Sequence, residues 1–358
     1  MSGGRSSRHA GLVAGLGALF VLALAAAQPV AASVPAYVYA TPIFGLATAP
    51  DGSILVADAG AGIVELRKGA AVLIADLPGV TDVAPIGRGG MYAVTGAGEG
   101  DMAWKLFRVS RGSVQPIADL LAFETNVNPD GGAIDSNPFD VAALATGKVL
   151  VADAGGNDLL IVDQRGNVDW IAVLPDELVS TANAKSLAGC PTPPDELAFV
   201  CGLPEMIPAQ PVATSVAVGP DGAYYVGELK GFPGPTGESR IWRIAPGTLH
   251  ATCGTSPACT VVADGFTSIV DLSFGPDGTL YVTEIDEKSF LAVEFLFFGL
   301  PFPGVGGTVN ACDSGSWTCE VVATGLPIVI GTTVGTDGTV YAAVKALIPG
   351  EAEVIALP

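Results

Sequence analysis

Histidine is almost missing from this sequence. There are two among 358 residues, and His9 stands in an apolar leader, so His250 is the one that counts. A multi-histidine zinc site is excluded on that ground. A Ser-His-Asp triad would have to be built around His250 alone. Basic residues are scarce as well: 16 lysines and arginines face 36 aspartates and glutamates, for a net charge of −20. No cluster of basic residues exists to neutralise a phosphate backbone, which excludes a nucleic-acid partner, and docking on anionic lipid by charge is equally disfavoured. There is no C-x-x-C pair, no G-x-S-x-G elbow and no phosphate-cradling glycine loop. Beyond the leader no apolar run is long enough to cross a membrane.

Residues 1–32 read as an export signal. Arg5, Arg8 and His9 precede the uncharged run "AGLVAGLGALFVLALAAA" (10–27), and "AAAQPVAAS" offers small-residue cleavage sites after Ala27 or Ala32. The run is short for a membrane span of about 20 residues, so no stable transmembrane anchor is expected after cleavage. The expected location is secreted or extracytoplasmic. An even six cysteines in an exported chain read as disulfides. Their spacing predicts three local bridges: Cys190–Cys201, Cys253–Cys259 and Cys312–Cys319. The short ones would each contribute about 2–3 kcal/mol by limiting the unfolded chain.

What the sequence has in abundance is a repeated phrase. "APDGSILVAD" (49–58), "GPDGAYYVGE" (219–228) and "GPDGTLYVTE" (275–284) are near copies, and "GTDGTVYAAV" (335–344), "ATGKVLVAD" (145–153) and "GRGGMYAVT" (87–95) are looser ones. Each is a strand, a tight glycine turn and a second strand, and two more strands follow. The 47 glycines and 27 prolines argue against a helical solenoid. Six such units predict an all-β fold, a six-bladed β-propeller occupying residues 33–358. The blades are expected at about 43–75, 81–118, 137–173, 212–263, 268–323 and 330–357. The last is one strand short, and "AYVYAT" (36–41) resembles its expected fourth strand, so residues 36–40 are predicted to close the ring.

Strand alternation sorts the loops onto two faces. The ends of the second strands (Asp58, Thr95, Asp153, Glu228, Glu284, Val344) and the starts of the first strands (Gly45, Asp82, Asp140, Ser215, Asp271, Gly331) belong to one face, near the axis. Seven of these twelve positions are carboxylates. Converging carboxylates repel and resist desolvation, costs that a divalent cation such as Ca2+ relieves, with Asn137 and Asn157 as added amide ligands. The alternative is that each acid accepts N–H groups from its own turn. The connections 119–136 and 175–211 and the loops 229–239 and 285–305 fall on the same face, where a small-molecule ligand or an envelope protein would bind. Phe232, Phe295, Phe298 and Phe302 form an apolar rim there. It is a self-packed lid, a ligand wall or an exposed contact patch. The residues favour non-catalytic binding or a scaffold role; the enzymatic alternative is a metal-dependent hydrolase on the same carboxylates.

"SNPFDVAAL…VLVADAGGNDLLIVD" (136–163), "ATSVAVGPDGAYYVGELKGFP" (213–233) and "SIVDLSFGPDGTLYVTEI" (268–285) resemble the ScyD/ScyE family of exported propellers, named after proteins of a scytonemin (sunscreen pigment) cluster. More broadly, the chain is similar to NHL-repeat and gluconolactonase-like propellers. The lactonase resemblance implies a divalent cation in the central channel, with Asn137, Asp153, Glu228 and Asp271 as the nearest matches to its ligands. The chain departs from that pattern at Gly45, where those enzymes carry an acid, and it has no counterpart of the paraoxonase histidine pair.

Overall fold

The Pro-Asp-Gly phrase folds as its chemistry dictates. Gly52, Gly222, Gly278 and Gly338 take φ between 75° and 87°. The preceding aspartate accepts the N–H two residues on: Asp51 from Ser53, Asp221 from Ala223, Asp277 from Thr279 and Asp337 from Thr339, at 3.0–3.1 Å. A turn that ends on a left-handed glycine reverses the chain with the twist that paired strands need.

The computed structural model describes residues 37–87 and 89–358; the expected signal and Ala36 lie outside them. Six blade sheets follow one another, with a separate two-stranded hairpin, Glu177–Ser180 paired with Met206–Ala209, in the 175–211 insertion. Blade 1 has strands Ile43–Thr48, Ile54–Asp58, Gly62–Arg67 and Ala70–Asp76. Blade 2 runs from Val80 to Asp119, blade 3 from Pro138 to Val173, blade 4 from Ala213 to Phe266 and blade 5 from Ile269 to Leu326. Blade 6 has three strands, Thr332–Val334, Val340–Val344 and Glu353–Ala356. Adjacent blades bury apolar side chains between them. Tyr92, Val94 and Leu106 of blade 2 pack on Val149, Val151 and Leu160 of blade 3. Ile43, Leu46 and Val56 of blade 1 pack with Ala343, Ala346 and Val354 of blade 6, which closes the ring. The result is the six-bladed β-propeller that the repeats predict.

The expected closing strand is a correction. Residues 37–40 form no strand, and among the described residues the sixth sheet stays three-stranded. The Tyr39 ring is buried in the cluster that joins blades 1 and 6, and the Ala40 N–H donates to Asp58 rather than to a ladder. Burying Tyr39, with Tyr37 packed edge-on against it, takes the place of pairing with the last edge.

The three disulfides form as spaced. Cys253–Cys259 closes a loop of blade 4 whose residues Ala251–Thr252 pair in parallel with the outer strand of blade 3, so this bridge fixes a contact between blades. Among the described residues no helix is long and apolar enough to cross a membrane.

Candidate functional site: the axial channel

The acids ending the second strands do not meet one another. Three of them, Asp58, Asp153 and Glu284, tie their own blade to the segment that leads into it. Asp58 accepts from Ala40 N–H at 2.7 Å and Gly60 N–H at 3.1 Å. Asp153 accepts from the Ser136 hydroxyl and the N–H groups of Asn137, Gly155 and Gly156 at 2.6–3.1 Å. Glu284 accepts from Thr267 N–H and from Asn310 Nδ2. Burial raises the carboxyls of Asp153 and Glu284 while these donors pull the other way. Asn137 and Asn157 are occupied as well. Asn137 Oδ1 accepts from Ala97 N–H, and Asn157 joins Asp130, Gly155 and Val212.

Glu228 meets fixed cations. Lys230 is fully buried, and its Nζ lies 3.1 Å from Glu228 Oε1 and 2.5 Å from Glu177 Oε2. Arg240 bridges the same two carboxylates at 2.8–3.0 Å, and Trp242 Nε1 donates to Glu228 at 3.2 Å. Burial pushes the Glu228 carboxyl up to about 7 against the pull of Lys230, Trp242 and Arg240. Glu177 comes from the 175–211 insertion, so this network pins that insertion to blade 4. The pairing of Lys230 was missed in the sequence; a lysine two residues after the strand-end acid is the signal that could have found it.

The first-strand acids do converge. In blades 1, 2, 4 and 5 the inner strand carries a bulge at its start, between Ile43 and Leu46, Val80 and Asp82, Ala213 and Ser215, and Ile269 and Asp271. Blade 3 is bulged at the matching place, beside Pro138 and Asp140. An extra residue re-aims the next side chain. Asp82, Asp140 and Asp271 thereby line one axial cavity of about 480 Å3, together with Thr48, Thr332 and Thr333. Each of these aspartates accepts an N–H from the inner strand of the following blade: Asp82 from Val141 at 3.2 Å, Asp140 from Val216 at 2.7 Å, Asp271 from Thr332 at 2.5 Å. Desolvation raises all three carboxyls. Asp140 adds to the rise at Asp82 by charge and by a direct side-chain hydrogen bond, and adds by charge at Asp271. Among the described residues no lysine, arginine or histidine lines the cavity. Gly45 gives Asp82 its place, because a β-carbon there would lie 2.0 Å from Asp82 Oδ1.

The cavity opens at the Pro-Asp-Gly end, where Ala49–Pro50, Gly275–Pro276 and Gly335–Thr336 line it. This corrects the expectation of an acidic mouth on the insertion-rich face. On that side the bulge residues Phe44 and Phe139 meet at 5.4 Å between ring centres. Tyr37, Tyr39, Leu229, Phe290, Val293 and Leu296 pack in the same apolar cluster and plug the channel. The expected apolar rim divides accordingly. Phe295 is buried, while Phe298 is 69 % exposed, Phe302 37 % and Phe232 41 %, the last with its ring 6.4 Å from Phe199.

The metal set implied by the lactonase resemblance does not fit. Asn137 is claimed by Ala97, Asp153 by Ser136, Asn137 and its own turn, and Glu228 by Lys230 and Arg240, which leaves Asp271 alone of the four facing the cavity. Among the described residues no three His, Cys, Asp or Glu side chains form a metal-holding group. His250 is far from such a role: it pairs with Asp169 at 2.7 Å and stacks on Trp170 at the exposed edge of blade 3.

No family profile matches the chain, and no curated protein matches it in sequence. Solved structures match it in shape. A gluconolactonase from Xanthomonas campestris aligns with a TM-score of 0.54 at 12% identity, covering 90% of this chain and 88% of that one. The calcium-binding protein regucalcin from Agrobacterium tumefaciens gives 0.54 at 12% identity, covering 92% and 94%. A streptogramin B lyase gives 0.50 at 13% identity, covering 91% and 96%. The likeness is one of fold.

Proposed function

We propose that this chain is an exported binding protein that takes a small polar ligand into its axial cavity from the Pro-Asp-Gly face, with an ammonium or hydroxyl donors directed at Asp82, Asp140 and Asp271. One observation carries the reading: the carboxylates of buried Asp82 and Asp140 and of half-buried Asp271 line a cavity that, among the described residues, no basic side chain lines. A cationic or multiply hydroxylated ligand would offset both their mutual repulsion and their desolvation. The leader, the three disulfides and the ScyD/ScyE resemblance support a place outside the cytoplasm. The lactonase-like alternative is not favoured, because three of the four matching side chains, Asn137, Asp153 and Glu228, are already bonded elsewhere and, among the described residues, no histidine lines the cavity.

The test is thermal-shift and calorimetric titration of the mature chain with alkylamines, polyamines and polyols. Amine or polyol binding that Asp271→Asn weakens at least tenfold supports the reading. No binding by any class, or binding indifferent to Asp82→Asn and Asp271→Asn, overturns it.

A further inference from the structure

A second group of acids lies away from the axis, where the 119–136 connection meets the second hairpin of blade 3. Asp119 caps the helix Leu120–Val127 by accepting from Ala122 N–H, and the helix ends on Asn128 in the left-handed region, its N–H bonded to Glu124 O. The loop after it docks on the turn 154–157: Asn157 Nδ2 donates to Asp130 Oδ2 at 3.0 Å. The next residue, Asp158, starts the third strand of blade 3 opposite Asp153. A β-carbon on Gly156 would sit 3.4 Å from Asp158 Oδ1 and 3.5 Å from Asp153 Cγ, so both carboxylates flank one small glycine.

Three side-chain oxygens here have no hydrogen-bond partner among the described residues: Glu124 Oε1, Asn128 Oδ1 and Asp158 Oδ1. Glu124 is 3 % exposed and Asp158 2 %. A buried polar atom left without a partner is costly, and each of the three calls for one. The neighbours make the position worse. Burial first, then Asp130 and Asp153, pushes the Glu124 carboxyl up to about 7, and burial with Asp153, Glu124 and Asp130 raises Asp158 well above the carboxylate range. No lysine or arginine is ion-paired with Glu124, Asp130 or Asp158 among the described residues.

We infer that Glu124, Asn128 and Asp158 hold a calcium ion that clamps the 119–136 connection onto blade 3. The donors are two carboxylates and an amide oxygen, with Asp130 beside them and no nitrogen or sulfur, which selects a hard cation. An irregular loop next to a helix end suits the variable coordination of Ca2+ better than the strict octahedron of Mg2+. Asp153 supplies field rather than a ligand, because both of its oxygens are already hydrogen-bonded. The site goes beyond the axial cavity and uses none of its residues.

The experiment is calorimetry and thermal denaturation of the EGTA-treated mature chain with CaCl2 and with MgCl2. One calcium per chain is expected, with a melting temperature raised by several degrees and a weaker response to magnesium. Glu124→Gln and Asp158→Asn should each weaken calcium binding at least tenfold, yet melt no lower than the parent in EGTA, because each replaces a buried carboxyl whose ionisation the site does not support without the cation. Asn128→Asp should tighten calcium binding while lowering stability in EGTA, a pair of effects that a purely structural asparagine would not give. Asp271→Asn should leave calcium binding unchanged. Absence of a calcium response overturns the inference, as does a response that survives Asp158→Asn. A response lost in Asp271→Asn but kept in Asp158→Asn moves the ion to the channel and overturns it too. Failure of amine or polyol binding touches only the axial reading.

Discussion

Phe44 of blade 1 and Phe139 of blade 3 meet edge to face, at an interplanar angle of 66°, although all of blade 2 separates them around the ring. Both stand one residue before an axial position, Gly45 and Asp140. The same bulges that turn the aspartates into the cavity thus turn these rings into a plug above them. Phe139→Ala should cost about 2 kcal/mol in urea unfolding, less than the roughly 3–5 of a fully buried phenylalanine because the ring is half-buried. It should also open the channel at the insertion-rich face. Quenching of a fluorescent amine in the cavity by a bulky solute would show this: faster in Phe139→Ala, unchanged if the plug lies elsewhere.

Gly45 and Asp82 form a size-matched pair. A methyl group at residue 45 would lie 2.0 Å from Asp82 Oδ1 and 2.9 Å from its α-carbon, and a backbone atom cannot yield cheaply. Gly45→Ala should therefore cost about 1–3 kcal/mol, the usual range for overpacking. Adding Asp82→Ala should restore part of it, since the clash with the carboxylate goes and the clash with the backbone of residue 82 stays. Additive losses in the double variant would show that the two residues are not coupled.

The sequence carries the repeat because its determinants are local. Pro-Asp-Gly makes its own turn, and a second strand such as "ILVAD" is apolar throughout because blades cover both its faces. It also places the axial aspartates in the correct register, since Asp82, Asp140 and Asp271 occupy equivalent positions. What it does not carry is which acids remain free. Asp58, Asp153 and Glu284 look like converging ligands, but their donors come from connections with no repeat pattern: Ala40, Ser136 and Thr267. The bulges hide the plug, because counting strand residues two by two does not reveal an extra one. Glu124 and Asp158 stay invisible for a related reason. One lies on a helix within an insertion and the other opens a third strand, so comparison of first and second strands never sets them side by side. The repeated acid in "DAGGND" was legible; the partnerless acid five residues later was not.

Glu228 and Lys230 are both fully enclosed, with Glu177 and Arg240 completing a balanced set of two anions and two cations. Lys230→Met leaves two carboxylates to one arginine and should destabilise by about 3–5 kcal/mol in equilibrium unfolding. Adding Glu228→Gln should recover a substantial part, because the charge left uncompensated is then removed. If the single variant costs under about 1 kcal/mol, the value typical of exposed pairs, the network does not hold the 175–211 insertion in place.

The pH dependence of stability follows from the sign of the carboxyl shifts. Asp82, Asp140, Asp158, Asp271 and Glu124, none of them paired with a lysine or arginine among the described residues, are all raised, Glu124 to about 7 from 4.5. A group raised on folding holds its proton more tightly in the folded chain, so its stabilisation is complete below the unfolded value and is lost as pH climbs through the folded one. The lowered carboxyls, such as Asp51, Asp163 and Asp337, are exposed and act below about pH 4, outside this window. In EGTA the melting temperature should therefore fall steadily from pH 5 to pH 8. Calcium should flatten the part of that fall that belongs to Glu124 and Asp158, and a parallel displacement of the whole curve would place its effect elsewhere. In Glu124→Gln the fall should be shallower without any calcium. A melting temperature that rises from pH 5 to pH 8 in EGTA would mean that the buried acids are ionised and paired by cations in the folded chain.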